Sequence, residues 1–200
     1  MKVIVVGGTG TIGSFIVKEL AARHEVLAAG HSSGDLRCDI GSEDSIREMF
    51  NNAGKFDALV AAAGNVHFEE LTHMNSAKYR VGLDHKLMGQ VNLVLIGSTF
   101  INDGGSFTLT SGILNHDPIR TGSSASMVNG ALEGFVTGAA IELPRGIRIN
   151  VVSPTVLAES LGIYGPYFRG FQSSPGAKVA LAYSKSVEGL QTGQIYRVWS

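Results

Sequence analysis

Two rhythms of apolar and polar positions alternate along this 200-residue chain: short unbroken apolar runs and longer stretches with helical spacing. Val3 to Val6 are all β-branched, which suits a strand buried on both faces of a parallel sheet. Ser14 to Leu20 takes a helical rhythm, and Glu25 to Ala29 predicts a second strand ended by Gly30-His31-Ser32-Ser33-Gly34. Leu36 to Ile40 predicts a third strand, reached without room for the helix expected between parallel strands. Gly41-Ser42-Glu43-Asp44 signals a helix start with Ser42 as cap, and Ile46, Met49 and Phe50 give that helix an apolar face. Asp57 to Ala63 predicts the next buried strand, and Asn75 to Phe100 one long helix. After a turn at Asn102 to Gly105, Ser106 to Thr110 predicts a strand, and Ser123 to Leu143 a second long helix rich in Ala, Gly and Ser. Ile147 to Val152 predicts a strand broken by Ser153-Pro154, followed by an irregular apolar loop, Leu157 to Gly176, suited to covering a pocket. A helix near Ala177 to Ser186 and a strand at Ile195 to Val198 finish the pattern. The alternation predicts a doubly wound, mainly parallel α/β sheet in a single domain over residues 1–200.

The junction after the first strand carries the chemistry. Gly7, Gly8, Gly10 and Gly13 lead at once into the first helix. Strand, glycine turn and helix in that order form a phosphate-binding turn: backbone can approach a pyrophosphate closely, and its charge faces the N–H groups at the helix start. Gly8, Gly10 and Gly13 fit G-x-G-x-x-G, while Gly7, Gly10 and Gly13 fit the three-residue spacing of a close variant. Any tight strand–helix turn can be glycine-rich, so the weight rests on its place directly after a buried strand.

An acidic residue near the end of the second strand would bind ribose hydroxyls. The chain instead offers His31, Ser32 and Ser33, with Arg37 nearby and no carboxylate before Asp35. Hydroxyls and a cation accept a 2′-phosphate that an aspartate would repel, which points to NADP(H); the alternative is a plain polar turn. Asp39 is placed to meet an adenine amino group, or equally to open the following helix. Small residues Ala61 to Gly64 leave space for a ligand at the sheet's carboxyl edge.

Composition narrows the classes. With 44% hydrophobic and 16% charged residues, the chain is an ordinary globular one. A net charge of −1 gives no electrostatic case for nucleic acid or an anionic membrane. The single Cys38 forms no internal disulfide and no cysteine-cluster zinc site, and His67, His73 and His85 show no metal-ligand spacing, so no metal is expected. Without a charged leader before the first strand or a run of about 18 apolar residues, the expected location is cytoplasmic.

The residues taken together resemble the short-chain dehydrogenase/reductase family over nearly the whole length. The resemblance rests on the glycine turn, Ala63-Gly64 after the fourth strand, Ser111 after the fifth, and Gly146-Ile147-Arg148-Ile149-Asn150-Val151-Val152-Ser153-Pro154 following Ala140-Ile141-Glu142-Leu143. It implies a Rossmann-type sheet, a nicotinamide cofactor, hydride transfer on a small-molecule substrate, and a homodimer or homotetramer built on the two long helices. Carried onto matching positions, it implies cofactor contacts at Gly7, Thr9, Gly10, Thr11, Ile12 and Gly13, at His31, Ser32 and Ser33, and at Asp39 and Ile40. Further contacts are implied at Ala62, Ala63 and Gly64, at Lys86 and Thr110, and at Pro154, Thr155 and Val156.

The family's active site joins a serine, a tyrosine acid/base, a lysine four residues later, and an asparagine on the preceding long helix. Ser111 matches the serine. Aligning Ala131-Leu132-Glu133-Gly134-Phe135 puts Ala125 at the tyrosine and Asn129 at the lysine, and aligning Leu87-Met88-Gly89 puts Lys86 at the asparagine. Tyrosine is absent, lysine and asparagine have exchanged places, and Thr155 stands where a glycine usually follows the proline. The candidate catalytic set is therefore Ser111, Lys86 and Asn129, with Lys86, His116, Tyr164 and Tyr167 as candidate proton donors. Positioned acid–base catalysis is worth roughly 10²–10⁴ in rate, whereas juxtaposition with a cofactor contributes about 7–11 kcal/mol, so a reductase without the tyrosine is feasible. Two readings follow: an NADP(H)-dependent oxidoreductase acting on a small carbonyl, alcohol or activated alkene, or a catalytically silent NADP(H)-binding sensor or partner protein. For the residues taken singly, the alternatives are a helix-surface lysine at Lys86 and a polar loop histidine at His116.

Overall fold

The β-branched run at the N-terminus becomes β1 (Lys2–Val6), whose alternating side chains feed two cores, Ile4 and Val6 on one face of the sheet, Val3 and Val5 on the other. The computed structural model describes residues 1–200. The chain continues through α1 (Thr11–Ala21), β2 (Glu25–Gly30), β3 (Leu36–Arg37), α2 (Glu43–Ala53), β4 (Phe56–Ala61) and α3 (Ser76–Arg80). A π-helical segment (Val81–Leu87), α4 (Met88–Gly97), β5 (Ile101–Thr110), α5 (Ser123–Glu142), β6 (Arg148–Pro154), α6 (Leu161–Tyr164), α7 (Gly176–Glu188) and β7 (Ile195–Val198) follow. All seven strands pair in parallel, in the order β3-β2-β1-β4-β5-β6-β7. The order reverses between β1 and β4, which opens a crevice at the carboxyl ends of the strands. Ile16 and Leu20 of α1 with Val179, Tyr183 and Val187 of α7 cover one face. Ile46, Met49 and Phe50 of α2, Leu93 of α4, and Val128, Leu132 and Val136 of α5 cover the other. No helix is long and apolar enough to cross a membrane.

Several elements depart from the expected boundaries for identifiable reasons. The third strand stops at Arg37, because the Asp39 N–H turns to the Ser45 hydroxyl at 2.9 Å and the chain enters α2. There Ser42 is the expected cap, accepting from the Ser45 N–H. The fourth strand ends at Ala61, freeing Ala62 and Ala63 to line the crevice. The helix expected over Asn75 to Phe100 is divided: Asn75 caps α3, and the turns widen to π geometry from Val81 to Leu87 before α4 resumes. Asn102 to Gly105 is not a turn before a strand but a bulge inside β5, where the register jumps from Phe56 opposite Ile101 to Ala58 opposite Ser106. Ser153 and Pro154 do not break β6; they pair with Arg197 and Val198 at its end, where proline is tolerated. The loop after Leu157 contains α6. The second long helix is buried on one face only, through Ala125, Val128, Asn129, Leu132 and Glu133, while Gly130, Ala131, Gly134 and Gly138 face outward.

Candidate active site

The glycine turn makes a cradle that any side chain would fill. Gly7 has φ +81°, and a Cβ there would lie 2.5 Å from the Ala62 carbonyl oxygen. A Cβ on Gly13 would lie 1.9 Å from the Gly7 carbonyl oxygen. Glycine alone lets β1, the start of α1 and the end of β4 meet this closely. The Ser14 N–H bonds the Gly10 carbonyl, so the amides of Thr11, Ile12 and Gly13 stand ahead of it, at the positive end of the α1 dipole.

A cleft of about 370 Å³ opens beside the cradle. Val6 lines it together with Gly7, Thr9, Gly10, His31, Asp39, Ile40, Ala62, Ala63 and Gly64 of the expected cofactor residues. His31 faces it from the end of β2, whereas Ser32 and Ser33 are exposed in the next turn and do not line it. The Arg37 guanidinium, expected as a cation here, folds back onto the Gly34 carbonyl at 2.6 Å. Asp35 closes the turn by accepting from the Ala28 N–H at 2.9 Å. Asp39 accepts from the Gly41 N–H, and His85 reaches into the same cleft with Nε2 3.9 Å from Asp39 Oδ1. The Asn65 N–H donates to His85 Nδ1 at 3.2 Å, which places the ring proton on Nε2, toward Asp39. Cys38, buried beneath, has its thiol pushed up to about 12 by burial and then by the Asp39 charge.

Lys86 lines a second, apolar cleft. The π segment carries it, a widened turn of the kind often found at functional sites. Its stem lies over Gly64, whose φ of +144° and missing side chain leave room: a Cβ there would meet Lys86 Cγ at 2.5 Å. Lys86 Nζ donates to Asn129 Oδ1 at 2.7 Å and to the Ser111 carbonyl at 3.0 Å. Asn129 completes the link by donating to the Gly112 carbonyl at 3.2 Å. No carboxylate pairs with the ammonium, and burial lowers Lys86 from the usual 10.5 to about 8. Lys86 is thus no snorkelling surface residue. Ser111, through its carbonyl, Lys86 and Asn129, the three candidate catalytic residues of the sequence, meet at one point.

The second cleft, about 260 Å³, is lined by Lys86, Ser111 and Asn129 and by Val66, Phe68, Ile113, Leu114, Ala125, Val156, Leu157, Tyr164 and Phe168. Pro154 and Thr155 also border it. Ala125 lies on its wall, so no phenol enters from the tyrosine position. Tyr164 lines the cleft from α6; Tyr167 is exposed and lies outside it. Thr110, expected along the cofactor path, is committed to the sheet: its hydroxyl donates to the Ala61 carbonyl at 2.6 Å and lies 2.8 Å from the Tyr183 hydroxyl.

Sequence reasoning missed Glu133, Gln90 and His85. The Ser111 hydroxyl donates to Glu133 Oε1 at 3.1 Å, and His116 Nε2 sits 2.8 Å from Glu133 Oε2. Glu133 shares the inner face of α5 with Asn129, one turn away, and a lone carboxylate on that face was the available signal. Gln90, fully buried, clamps the Thr110 backbone through both its amide atoms and so fixes the strand end that bears Ser111.

A family model described as Enoyl-(Acyl carrier protein) reductase matches residues 11–188. The chain is 30% identical over 175 residues to Carbonyl reductase family member 4 of Xenopus tropicalis, covering 75% of this chain and 72% of that protein. Among solved structures, the protein lin1944 of Listeria innocua is 50% identical and superposes with a TM-score of 0.98 over 100% of both chains. A small-chain dehydrogenase in complex with NADPH is 25% identical, with a TM-score of 0.88 over 99% of this chain and 96% of the other. The glycine cradle at the β1 end, the strand order and these matches agree: the chain belongs to the short-chain dehydrogenase/reductase family of oxidoreductases, which bind nicotinamide cofactors.

Proposed function

We propose that this protein is an NADP(H)-dependent oxidoreductase acting on a small carbonyl, its alcohol, or an activated alkene, with Lys86 supplying the active-site charge. The observation that carries the reading is the Lys86 ammonium, held by Asn129 and the Ser111 carbonyl on the wall of the apolar cleft, with its stem against Gly64 of the first. The cradle fits a dinucleotide. Gly7 and Gly13 leave backbone bare where a pyrophosphate would lie, and the α1 N-terminus faces that space. Asp39 and Ile40 would border the adenine, His31 the ribose phosphate, with Ser32 and Ser33 in the exposed turn beyond it, and Gly64 the path toward Lys86. A bound nicotinamide supplies hydride to, or takes it from, a substrate carbon. Lys86 would hold ribose hydroxyls and stabilise negative charge that develops on a carbonyl oxygen in the apolar cleft, where a desolvated charge acts strongly. Tyr164, Phe168 and Leu157 would keep water from the reacting atoms. The preference for the phosphorylated cofactor is supported by the carboxylate-free end of β2 and by likeness to a dehydrogenase solved with NADPH.

Ala125 favours a second reading, a protein that binds the cofactor without turnover, because the wall that carries the family's acid is bare here. One experiment separates the two. NADPH binding is measured by fluorescence, and NADPH consumption is then followed with a panel of small aldehydes, ketones and enones. Binding with turnover supports the enzyme, binding without turnover the silent protein, and no binding sinks both.

A further inference from the structure

We propose that Glu133 and His116 form a proton path between Ser111 and solvent, so that Ser111 exchanges the proton that the absent tyrosine would have handled. The inference rests on the oxidoreductase reading. Glu133 is a buried carboxylate, its side chain 8% exposed, the one charged group on a helix face it shares with Ala125, Val128, Leu132 and Val136 and with the neutral Ser124 and Asn129. No lysine or arginine compensates it. A buried carboxylate is costly, and a glutamine would make hydrogen bonds of the same reach without that cost. Its two oxygens serve opposite ends: Oε1 accepts from the Ser111 hydroxyl at 3.1 Å on the cleft wall, and Oε2 meets His116 Nε2 at 2.8 Å. The His116 side chain is 34% exposed and lies against the Trp199 ring at 5.2 Å. Cleft, hydroxyl, carboxylate, imidazole and solvent are therefore joined within proton-transfer distance at every step.

The step balances in both directions. When an alcohol is oxidised, its C–H hydride goes to the oxidised nicotinamide dinucleotide and its C–O bond becomes C=O. The alcohol proton passes to Ser111 Oγ as the Ser111 proton passes to Glu133 Oε1, the direction in which the hydroxyl already points. Glu133, its carboxyl turned so that the proton faces His116, gives it to Nε2 of the neutral ring, and the imidazolium releases its Nδ1 proton to water. When a carbonyl is reduced, the same groups carry one proton inward, from water to the carbonyl oxygen. Ser111 is the catalytic residue; Glu133 and His116 act through it and are positioning residues.

Glu133→Gln keeps the size and the hydrogen-bond acceptor but cannot carry a proton. It is expected to lower kcat about tenfold to a hundredfold, within the range of one lost acid–base group. NADPH affinity should stay within about twofold, since no cofactor contact is touched. His116→Ala should lower kcat likewise, and added imidazole should restore it, because the site is open to solvent. A kcat for Glu133→Gln within about twofold of the parent, or no imidazole rescue of His116→Ala, overturns the path. A readout free of activity keeps this distinct from the oxidoreductase reading. In the apo-protein with the His116 ring doubly protonated, the state that starts the inward transfer, the Nε2 proton held against Glu133 should give a downfield NMR resonance that vanishes in His116→Ala and moves in Glu133→Gln. If the parent binds NADPH and turns nothing over, the reading fails while this resonance still decides the path, and its absence overturns the path by itself.

Discussion

Lys86 Nζ donates to Asn129 Oδ1 across 2.7 Å, tying the π-helical segment to α5 at the mouth of the apolar cleft. The two side chains that the sequence comparison sets at exchanged positions thus meet.

Lys86→Met is expected to weaken NADPH binding about tenfold, the weight of one lost charge-assisted contact, and to remove most turnover. Thermal stability at pH 7 should not fall, because the substitution deletes a desolvated charge from a site with no carboxylate partner. Returning both residues to the family arrangement, Lys86→Asn with Asn129→Lys, should retain more activity than either single change. Titration calorimetry, melting curves and a double-mutant cycle check these outcomes; a cycle without coupling would mean the two residues act apart.

The same lysine sets a pH dependence. Burial holds Lys86 at about 8 rather than 10.5, so its charge is lost as pH rises through about 8. NADPH affinity and kcat should both decline above that pH if the ammonium acts in the site. Stability runs the other way. The folded pKa lies below the unfolded one, so the unfolded chain binds more protons between about 8 and 10.5 and this group's destabilisation is relieved across that window. Lys86→Met should flatten both profiles, measured by NADPH titration and by denaturant melts from pH 6 to pH 10.

Most of the sheet and the cofactor cleft were legible in the sequence because they rest on local rules. β-Branched runs, glycine at Gly7 and Gly13, and the cap at Ser42 each specify their own backbone. What escaped depends on partners far along the chain. The bulge in β5 arises from pairing with β4, and the π segment interrupts a helical pattern that the sequence carries without a break. Glu133 carries meaning only once Ser111 and His116 are brought to it over 22 and 17 residues. Thr110 looked like a ligand-facing residue until Ala61 and Tyr183 claimed its hydroxyl.

Cofactor choice is the next test. The end of β2 presents His31, Ser32 and Ser33 in an exposed turn, while Asp35, the first carboxylate, is held by the Ala28 N–H. NADPH should bind at least about tenfold more tightly than NADH, and Ser32→Asp should reverse that order by placing a negative charge beside the 2′-phosphate. Calorimetric titration with both cofactors measures it, and equal affinities in the parent would defeat the claim.

The outer face of α5 bears on assembly. Its inner face is fully used by the core and by Asn129 and Glu133, yet Gly130, Ala131, Gly134 and Gly138 leave the opposite side without bulk, and Ile141 is 89% exposed. A Cβ added at Gly134 or Gly138 would meet nothing within 4 Å, so neither glycine is required by the chain's own packing. Glycine inside a helix costs about 0.5–1 kcal/mol relative to alanine, a cost that close approach of a second helix would offset. Leu95, exposed on α4, adds a further apolar side chain on a helix of the same sheet face. The expected state is a two-fold homodimer, or a tetramer, packed through this face. Gly138→Arg should then yield monomers with an unchanged or slightly raised helix content, because arginine is a better helix former than glycine. Light scattering at micromolar concentration decides between the states: a monomeric parent, or a Gly138→Arg variant that still assembles, would show that the glycine face has no partner helix.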